Sequence, residues 1–210
     1  MWAYVKDGSI VQTNNFQTNL IINNTNFPTK YANEWTPDQK KAYGVYEVEE
    51  VNRSNLKDGN YYMNDDGTLA YDSSGDKVTL TYGTSTAKEI ADTKWTQSEI
   101  DAGKAPTGAD TNTVKNIGLT NIHKDRISSE AHSRLISTDW YASRKAEAGT
   151  AIPTAIGNYR AAVRTKAADM HTKIDAADTV DKLAALYVYG RDSDDKPTTR
   201  PLGEWPDPVE

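Results

Sequence analysis

Two amphipathic stretches that meet at a glycine and a proline constrain the fold of this chain more than any other feature. Gly149 stands where the residue after a helix C-cap would lie, because glycine enters the left-handed region without steric penalty. Pro153 suits the first turn of a second helix, where its missing N–H is not needed. A connection this short predicts two antiparallel neighbouring helices over Ser137–Arg164. Their apolar stripes are Ile127, Ala131, Leu135, Ile136 and Trp140, then Ile156, Tyr159, Val163, Ala167, Met170 and Ile174.

The first hundred residues favour strands and tight turns instead. Trp2–Val5 and Ile10–Val11 predict two strands, and Asp7-Gly8 between them is typical of a two-residue hairpin turn. Alternating apolar residues and two turn signals predict a β-meander over Asn60–Tyr82. This part of the chain is therefore expected to build a sheet.

Two short helices are predicted among these strands. The first begins at Pro37 with Thr36 as its N-cap and ends at Gly44, before a strand that starts at Val45. The second is predicted within Ala87–Ile100, where apolar positions are separated by charged ones.

Glycine, proline and small polar residues in Asp101–Asn112 predict a linker between two domains. From Val114 onward the pattern is helical, with Asp178 or Thr179 capping a last helix. The predicted class is α+β: a strand-rich N-terminal region over 1–100, a linker over 101–112, a helical domain over 113–190 and an extended, proline-rich tail over 191–210.

Composition excludes several classes of function. The 210 residues include no cysteine, which excludes disulfides, thiolate catalysis and thiolate metal sites. The net charge of −6 is spread along the chain, which argues against binding nucleic acid or an anionic bilayer. No apolar run approaches the roughly 20 residues that a membrane-spanning helix needs.

Catalytic and metal-binding patterns are also missing. His123 and His132 are nine residues apart, which does not make them neighbouring ligands on one helical face, and the third histidine is His171. The acidic run at Asp192–Asp195 departs from a calcium loop, because a lysine takes the fifth position and no glycine follows. Glycines do not form a phosphate-binding loop and no nucleophile elbow is present. The sequence predicts no catalytic residue, no metal and no cofactor.

Several short motifs in the C-terminal half resemble one known family. They are Thr138-Asp139-Trp140, Arg144, Glu147, Gly149, Ile152-Pro153, the run Tyr159–Arg164, and Trp205-Pro206. Together they resemble the C-terminal domain of bacteriophage tail assembly chaperone-like proteins, which is similar to the tail-fibre assembly families of tailed phages. The start of the chain, MWAYVKDGSIV, also resembles the first strands of such proteins. The firm part of the resemblance covers roughly a third of the chain.

The resemblance implies a non-enzymatic, tail-associated phage protein, either a virion component or a tail-fibre assembly factor, made in the host cytoplasm and localised to the virion tail. Its expected partners are other tail, fibre or baseplate proteins, with self-association also considered. The alternative is a virion adhesin-like module that binds host surface glycan through exposed aromatic residues.

Three residues are candidates for partner binding: Trp140, Arg160 and Trp205. Trp140 could instead fill the helical core, and Arg160 could brace an acidic neighbour or lie over an aromatic ring. Trp205 lies in an extended segment, so its indole needs a pocket from its own domain or from a partner.

Overall fold

The computed structural model describes residues 1–14, 19–27 and 34–209. These form two compact units, Met1–Thr86 and Ala87–Glu210. Strands precede the long helices, and the predicted α+β class is confirmed.

The first unit is built around a five-stranded sheet with the order β2-β1-β5-β8-β7. All neighbours are antiparallel except β5 and β8, which run parallel. Its strands and its helix are β1 Trp2–Lys6, β2 Ser9–Asn14, β3 Leu20–Ile22, β4 Thr25–Phe27, α1 Pro37–Ala42, β5 Val45–Val51, β6 Tyr62–Met63, β7 Thr68–Asp72 and β8 Lys77–Thr81. Strand β9, Thr86–Ala87, lies where the unit ends and pairs with β6.

Strand β1 is buried on both faces, which makes it the centre of this unit. Trp2 and Tyr4 pack on one side with Ile22 and Val45, whereas Ala3 and Val5 pack on the other side. Successive side chains of a strand point to opposite faces, so four consecutive buried residues need a layer on each side. The predicted hairpin is confirmed: β1 pairs with β2 through Asp7 and Gly8, and both have positive φ.

Helix α1 begins as predicted. Thr36 accepts a hydrogen bond from the backbone N–H of Gln39, whose side chain accepts one from the Thr36 N–H, and Pro37 follows. Gly44 has a φ of +72°, and a Cβ there would lie 2.5 Å from the carbonyl oxygen of Val5. Glycine is therefore required where the chain turns from α1 into β5.

The boundary between the units differs from the predicted one. The division falls after Thr86, and the segment 101–112 lies inside the second unit. Strands β10 (Thr93–Lys94) and β11 (Val114–Asn116) pair with each other across this segment, which also holds the short helix α2 (Gln97–Asp101). The segment has a turn-forming composition, but its ends are tied together, so it is a loop and not a linker.

The helix expected within Ala87–Ile100 is mostly absent, because β9 and β10 occupy its start. A capping box between Thr96 and Glu99 begins α2 only at Gln97. Backbone pairing with a distant strand therefore overrode the weak helical pattern of this segment.

The second unit contains the long helices. They are α3 Leu119–Leu135, a 3-10 turn at Ile136–Thr138, α4 Asp139–Ala148, α5 Thr154–Asp175 and α6 Val180–Ala185. Gly149 has a φ of +69° and ends α4, and Thr179 caps α6, as predicted. The residues buried in this unit are mainly Leu119, Ile127, Ala131, Tyr159, Val163, Met170, Ile174, Val180, Leu183 and Leu202.

The two helices beside Gly149 are not the main packed pair, contrary to the prediction. Helix α5 packs most extensively against α3, and α4 has no buried residue. The cause is the 3-10 turn at Ile136–Thr138, which has three residues per turn and shifts the phase of the apolar stripe. Ile127 and Ala131 are buried, whereas Ile136 and Trp140 are exposed.

Candidate partner-binding surface

Arg160 is buried and holds the turn between α3 and α4. Its guanidinium donates to the carbonyl oxygen of Leu135 at 3.1 Å, to Oγ1 of Thr138 at 2.7 Å and to Oδ1 of Asp139 at 2.8 Å. The last carbonyls of a helix have no partner within the helix, and here a side chain from α5 supplies one. Arg160 therefore has the bracing role considered from the sequence, and its 7% exposure leaves little of it for a partner to contact.

Trp205 lies against its own unit. Its Nε1–H donates to Oε2 of Glu130 at 2.8 Å, and the Arg134 guanidinium lies 4.8 Å from the ring centroid. The ring packs on the buried cluster of Ala131, Tyr159 and Val163. Of the two pockets considered for this indole, the structure provides the one within its own domain.

A second anchor fixes the tail upstream of Trp205. Leu202 is fully buried, and its N–H donates to the carbonyl oxygen of Leu186 at 3.0 Å. Before it, the Gly190 N–H donates to the Thr199 carbonyl oxygen and the Gly190 carbonyl oxygen accepts from the Thr198 N–H, beside a bridge between Arg191 and Pro197. The predicted extended tail is therefore a strap that runs back over α3 and α5.

The strap forms one side of an open cleft of about 610 Å³ beside α3. Two ion pairs lie along it: Arg126 pairs with Glu130 at 3.1 Å, and Arg200 pairs with Glu204 at 3.2 Å. Among the described residues, three arginines and three carboxylates line the cleft, so their formal charges sum to zero. Its lining residues are Arg126, Glu130, Arg134, Tyr159, Arg200, Glu204, Trp205, Pro206, Asp207 and Pro208.

Trp140 is placed differently from the other two candidates. Its side chain is 50% exposed, and Ile136, one turn earlier, is 58% exposed. The Arg144 guanidinium lies 4.7 Å from the Trp140 ring centroid, and the Tyr141 ring is 3.9 Å away. The core-filling role considered for Trp140 does not fit this exposure, which leaves an aromatic surface facing outward.

The three predicted residues do not form one site. Arg160 and Asp139 join α5 to the start of α4, next to Trp140 in the chain. Trp205 lies instead with Glu130 and Tyr159, and no contact in the described part of the chain joins it to Trp140. Arg144, which lies over the Trp140 ring, was not among the predicted partner-binding residues, although a spacing of four residues on a helix indicates such a pair.

The first unit contains a second polar cluster around Asp76. Its carboxylate accepts from the Tyr46 hydroxyl at 2.7 Å and pairs with Lys41 at 2.9 Å. These contacts lower the pKa of Asp76, with the Tyr46 hydrogen bond first. The pKa of Tyr46 is raised, mainly by its hydrogen bond to Tyr71 and by burial. The donors and acceptors satisfy one another, so the cluster serves to fasten the end of α1 to the sheet.

His123 and His171 both contact polar groups of their own unit. His123 is buried, with its Nδ1 2.7 Å from the Tyr187 hydroxyl, and desolvation lowers its pKa. His171 lies 3.1 Å from the carbonyl oxygen of Lys124. Within the described ranges, no group of three or more His, Asp or Glu side chains could hold a metal ion. No helix among the described residues is long and apolar enough to cross a membrane.

Comparison with known proteins identified no relative. No protein-family model, no curated protein and no solved structure matches this chain. The resemblance to phage tail assembly proteins therefore stays a prediction that depends on the motif residues themselves. What can be concluded about function depends on those residues and their surroundings.

Proposed function

We propose that this chain is a non-enzymatic bacteriophage tail-associated protein, a virion component or a tail-fibre assembly factor, which acts by binding another phage protein. The observation that carries the proposal is Trp140, a motif residue that its own unit leaves half exposed. Tryptophan is enriched among residues that dominate binding energy at protein interfaces. Its partners would be tail, fibre or baseplate proteins of the same phage.

The other motif residues support this proposal by holding Trp140 in position. Thr138 and Asp139 are bound by Arg160, and Gly149 ends the helix that carries Trp140. Trp205, by contrast, packs on α3 and α5 and makes no contact with Trp140 in the described part of the chain. A surface residue presented by a rigid framework binds with less loss of conformational entropy than one on a flexible segment.

Two measurements test the proposal. The first is co-expression with each tail, fibre and baseplate protein encoded by the same phage, followed by co-purification at moderate salt. A stable complex with one of them is expected, and binding to none contradicts the proposal. The second is mass spectrometry of purified particles: stoichiometric presence indicates a virion component, and absence indicates an assembly factor.

The first unit favours one second candidate, the adhesin-like module. Trp35 and Tyr43 stack with ring centroids 4.8 Å apart and an interplanar angle of 18°, and Phe27 meets Trp35 edge-on at 5.5 Å. Tyr43 is 49% exposed, so the stack presents an aromatic surface with a polar tip. A glycan array distinguishes this candidate: specific binding that Tyr43→Ala removes would favour it over the protein-binding role.

A further inference from the structure

Strand β7 forms an open edge of the five-stranded sheet. It pairs with β8 on one side, and no strand of the described residues pairs with its other side. An edge strand presents a row of unpaired backbone N–H and C=O groups, onto which another strand can add. Ile10 of β2 joins the same core cluster as Leu69 and Tyr71, but this contact is made by side chains and leaves the backbone of β7 unpaired at its edge.

The opposite edge of the sheet, formed by β2, is protected in ways that β7 lacks. The pairing of β2 with β1 shifts register beside Val11, and such a bulge disfavours a further strand. The Gln12 side chain of β2 accepts from the Ile21 N–H at 3.1 Å and donates to the Asn19 carbonyl oxygen at 3.3 Å. Strand β7 instead pairs with β8 in unbroken register over five residues and contains neither lysine nor proline.

The core-facing side chains of β7 are incompletely covered. Leu69 and Tyr71 pack against the buried cluster of the sheet, yet both are only half-buried. Within a sheet, such side chains are covered further by their cross-strand neighbours on the next strand. A strand added at β7 would therefore bury apolar surface in addition to forming backbone hydrogen bonds.

We propose that β7 pairs with β7 of a second copy of this chain, which joins the two sheets edge to edge about a two-fold axis at Ala70. This inference concerns the first unit and goes beyond the proposed function, which depends on the second. A two-fold axis perpendicular to the sheet brings identical edges together antiparallel. Leu69 then lies opposite Tyr71 of the second copy on the core face. Thr68 lies opposite Asp72 of the second copy on the outer face, where a hydroxyl can donate to a carboxylate.

The sequence of β7 is complementary to itself in this register and not in its neighbours. Centred at Ala70, all five residues of both strands pair, and no like charges lie opposite each other within them. Moving the axis to Leu69 pairs only three residues and places Asp72 opposite Asp66 of the second copy, which is unfavourable. A slip of the pairing by one residue would set core-facing side chains against outward-facing ones. This self-complementarity favours a second copy over an unrelated strand.

The experiment measures self-association of the purified full chain by analytical ultracentrifugation over a range of protein concentrations. The variants Ala70→Lys and Ala70→Glu each place two like charges opposite each other on the axis. Ala70 is exposed, so both variants should keep the circular dichroism spectrum and the melting temperature of the parent protein. We expect each variant alone to dimerise about fivefold more weakly than the parent. An equimolar mixture of the two should form a mixed dimer, because opposite charges then meet on the axis.

A matched control and hydrogen exchange locate the contact. Val11→Lys makes the same change of charge at an exposed position (56%) on the opposite edge, and it should dimerise like the parent protein. Amides of residues 68–72 should exchange more slowly as the concentration of the parent protein rises, and amides of residues 9–14 should not change.

The outcomes are independent of the search for a phage partner. A parent protein that stays monomeric up to millimolar concentration would overturn the inference and leave the proposed function intact. Dimers that neither Ala70 variant weakens, or variants whose mixture associates no better than each alone, would overturn it as well. A monomeric parent protein that binds a tail protein, with binding lost in Ala70→Lys, would assign the β7 edge to a partner strand and exclude a second copy.

Discussion

Replacing Arg160 with methionine should destabilise the second unit by about 2–3 kcal/mol. The change removes three charge-assisted hydrogen bonds, to Leu135, Thr138 and Asp139. The loss is smaller than that of a fully buried ion pair for two reasons. The Thr138 hydroxyl still donates to the Leu135 carbonyl at 2.8 Å, and the Asp139 side chain is 49% exposed and stays hydrated.

Urea unfolding followed by circular dichroism at 222 nm measures this loss, because the long helices all belong to the second unit. The matched control is Lys182→Met, which removes an ion pair with Asp178 whose partners are 62% and 68% exposed. Such a pair contributes at most about 0.5 kcal/mol. Arg160→Lys should recover little, because an ammonium cannot reach three acceptors in the geometry of the guanidinium fork. A loss in Arg160→Met no larger than that of the control would refute the bracing role.

Four further predictions concern the same unit. Gly149→Val should cost on the order of 1 kcal/mol from backbone strain alone, since the φ of +69° is strained for valine while the space around it is open; an unchanged melting temperature would show that strain is absent. Trp205→Ala should lower the free energy of unfolding by about 2 kcal/mol, since it removes the packed ring and the hydrogen bond to Glu130, and Trp205→Phe should lower it less because a ring remains. Equal urea midpoints for the parent protein and both variants would mean that Trp205 does not anchor the strap. Burial lowers the pKa of His123 below its ordinary value of 6.5, so the unfolded chain binds the proton more readily than the folded one. The stability contribution of neutral His123 should therefore be complete above about pH 6.5 and decrease below it. In His123→Gln, the urea midpoint should depend less on pH between pH 7.5 and 5 than in the parent protein. Tryptic cleavage after Lys104 should leave both pieces together on gel filtration, because β10 and β11 pair across the cut; separation of the pieces would favour a linker instead.

Local signals in the sequence were enough to predict the turns and helix ends. The Asp7-Gly8 hairpin, the Thr36 cap, the glycine at position 149 and the Thr179 cap all appear as expected. Each depends on a few adjacent residues, because positive φ, a missing N–H or a capping hydroxyl acts within one turn of the chain. The α+β class follows from the same signals, since strand and helix patterns occupy different parts of the sequence.

Contacts between distant residues decided the rest. A stripe read as continuous from Ile127 to Trp140 is interrupted by a 3-10 turn, and the structure pairs α3 with α5 and leaves α4 exposed. Whether Arg160 and Trp205 faced a partner or their own unit depended on acceptors from distant parts of the chain: Leu135, Thr138 and Asp139 for Arg160, and Glu130 for Trp205, all at least 21 residues away. The sequence therefore determined which residues were candidates for binding a partner. Only the tertiary structure determined that Arg160 and Trp205 make their contacts within the unit while Trp140 stays exposed, because the burial of a side chain is set by non-local packing.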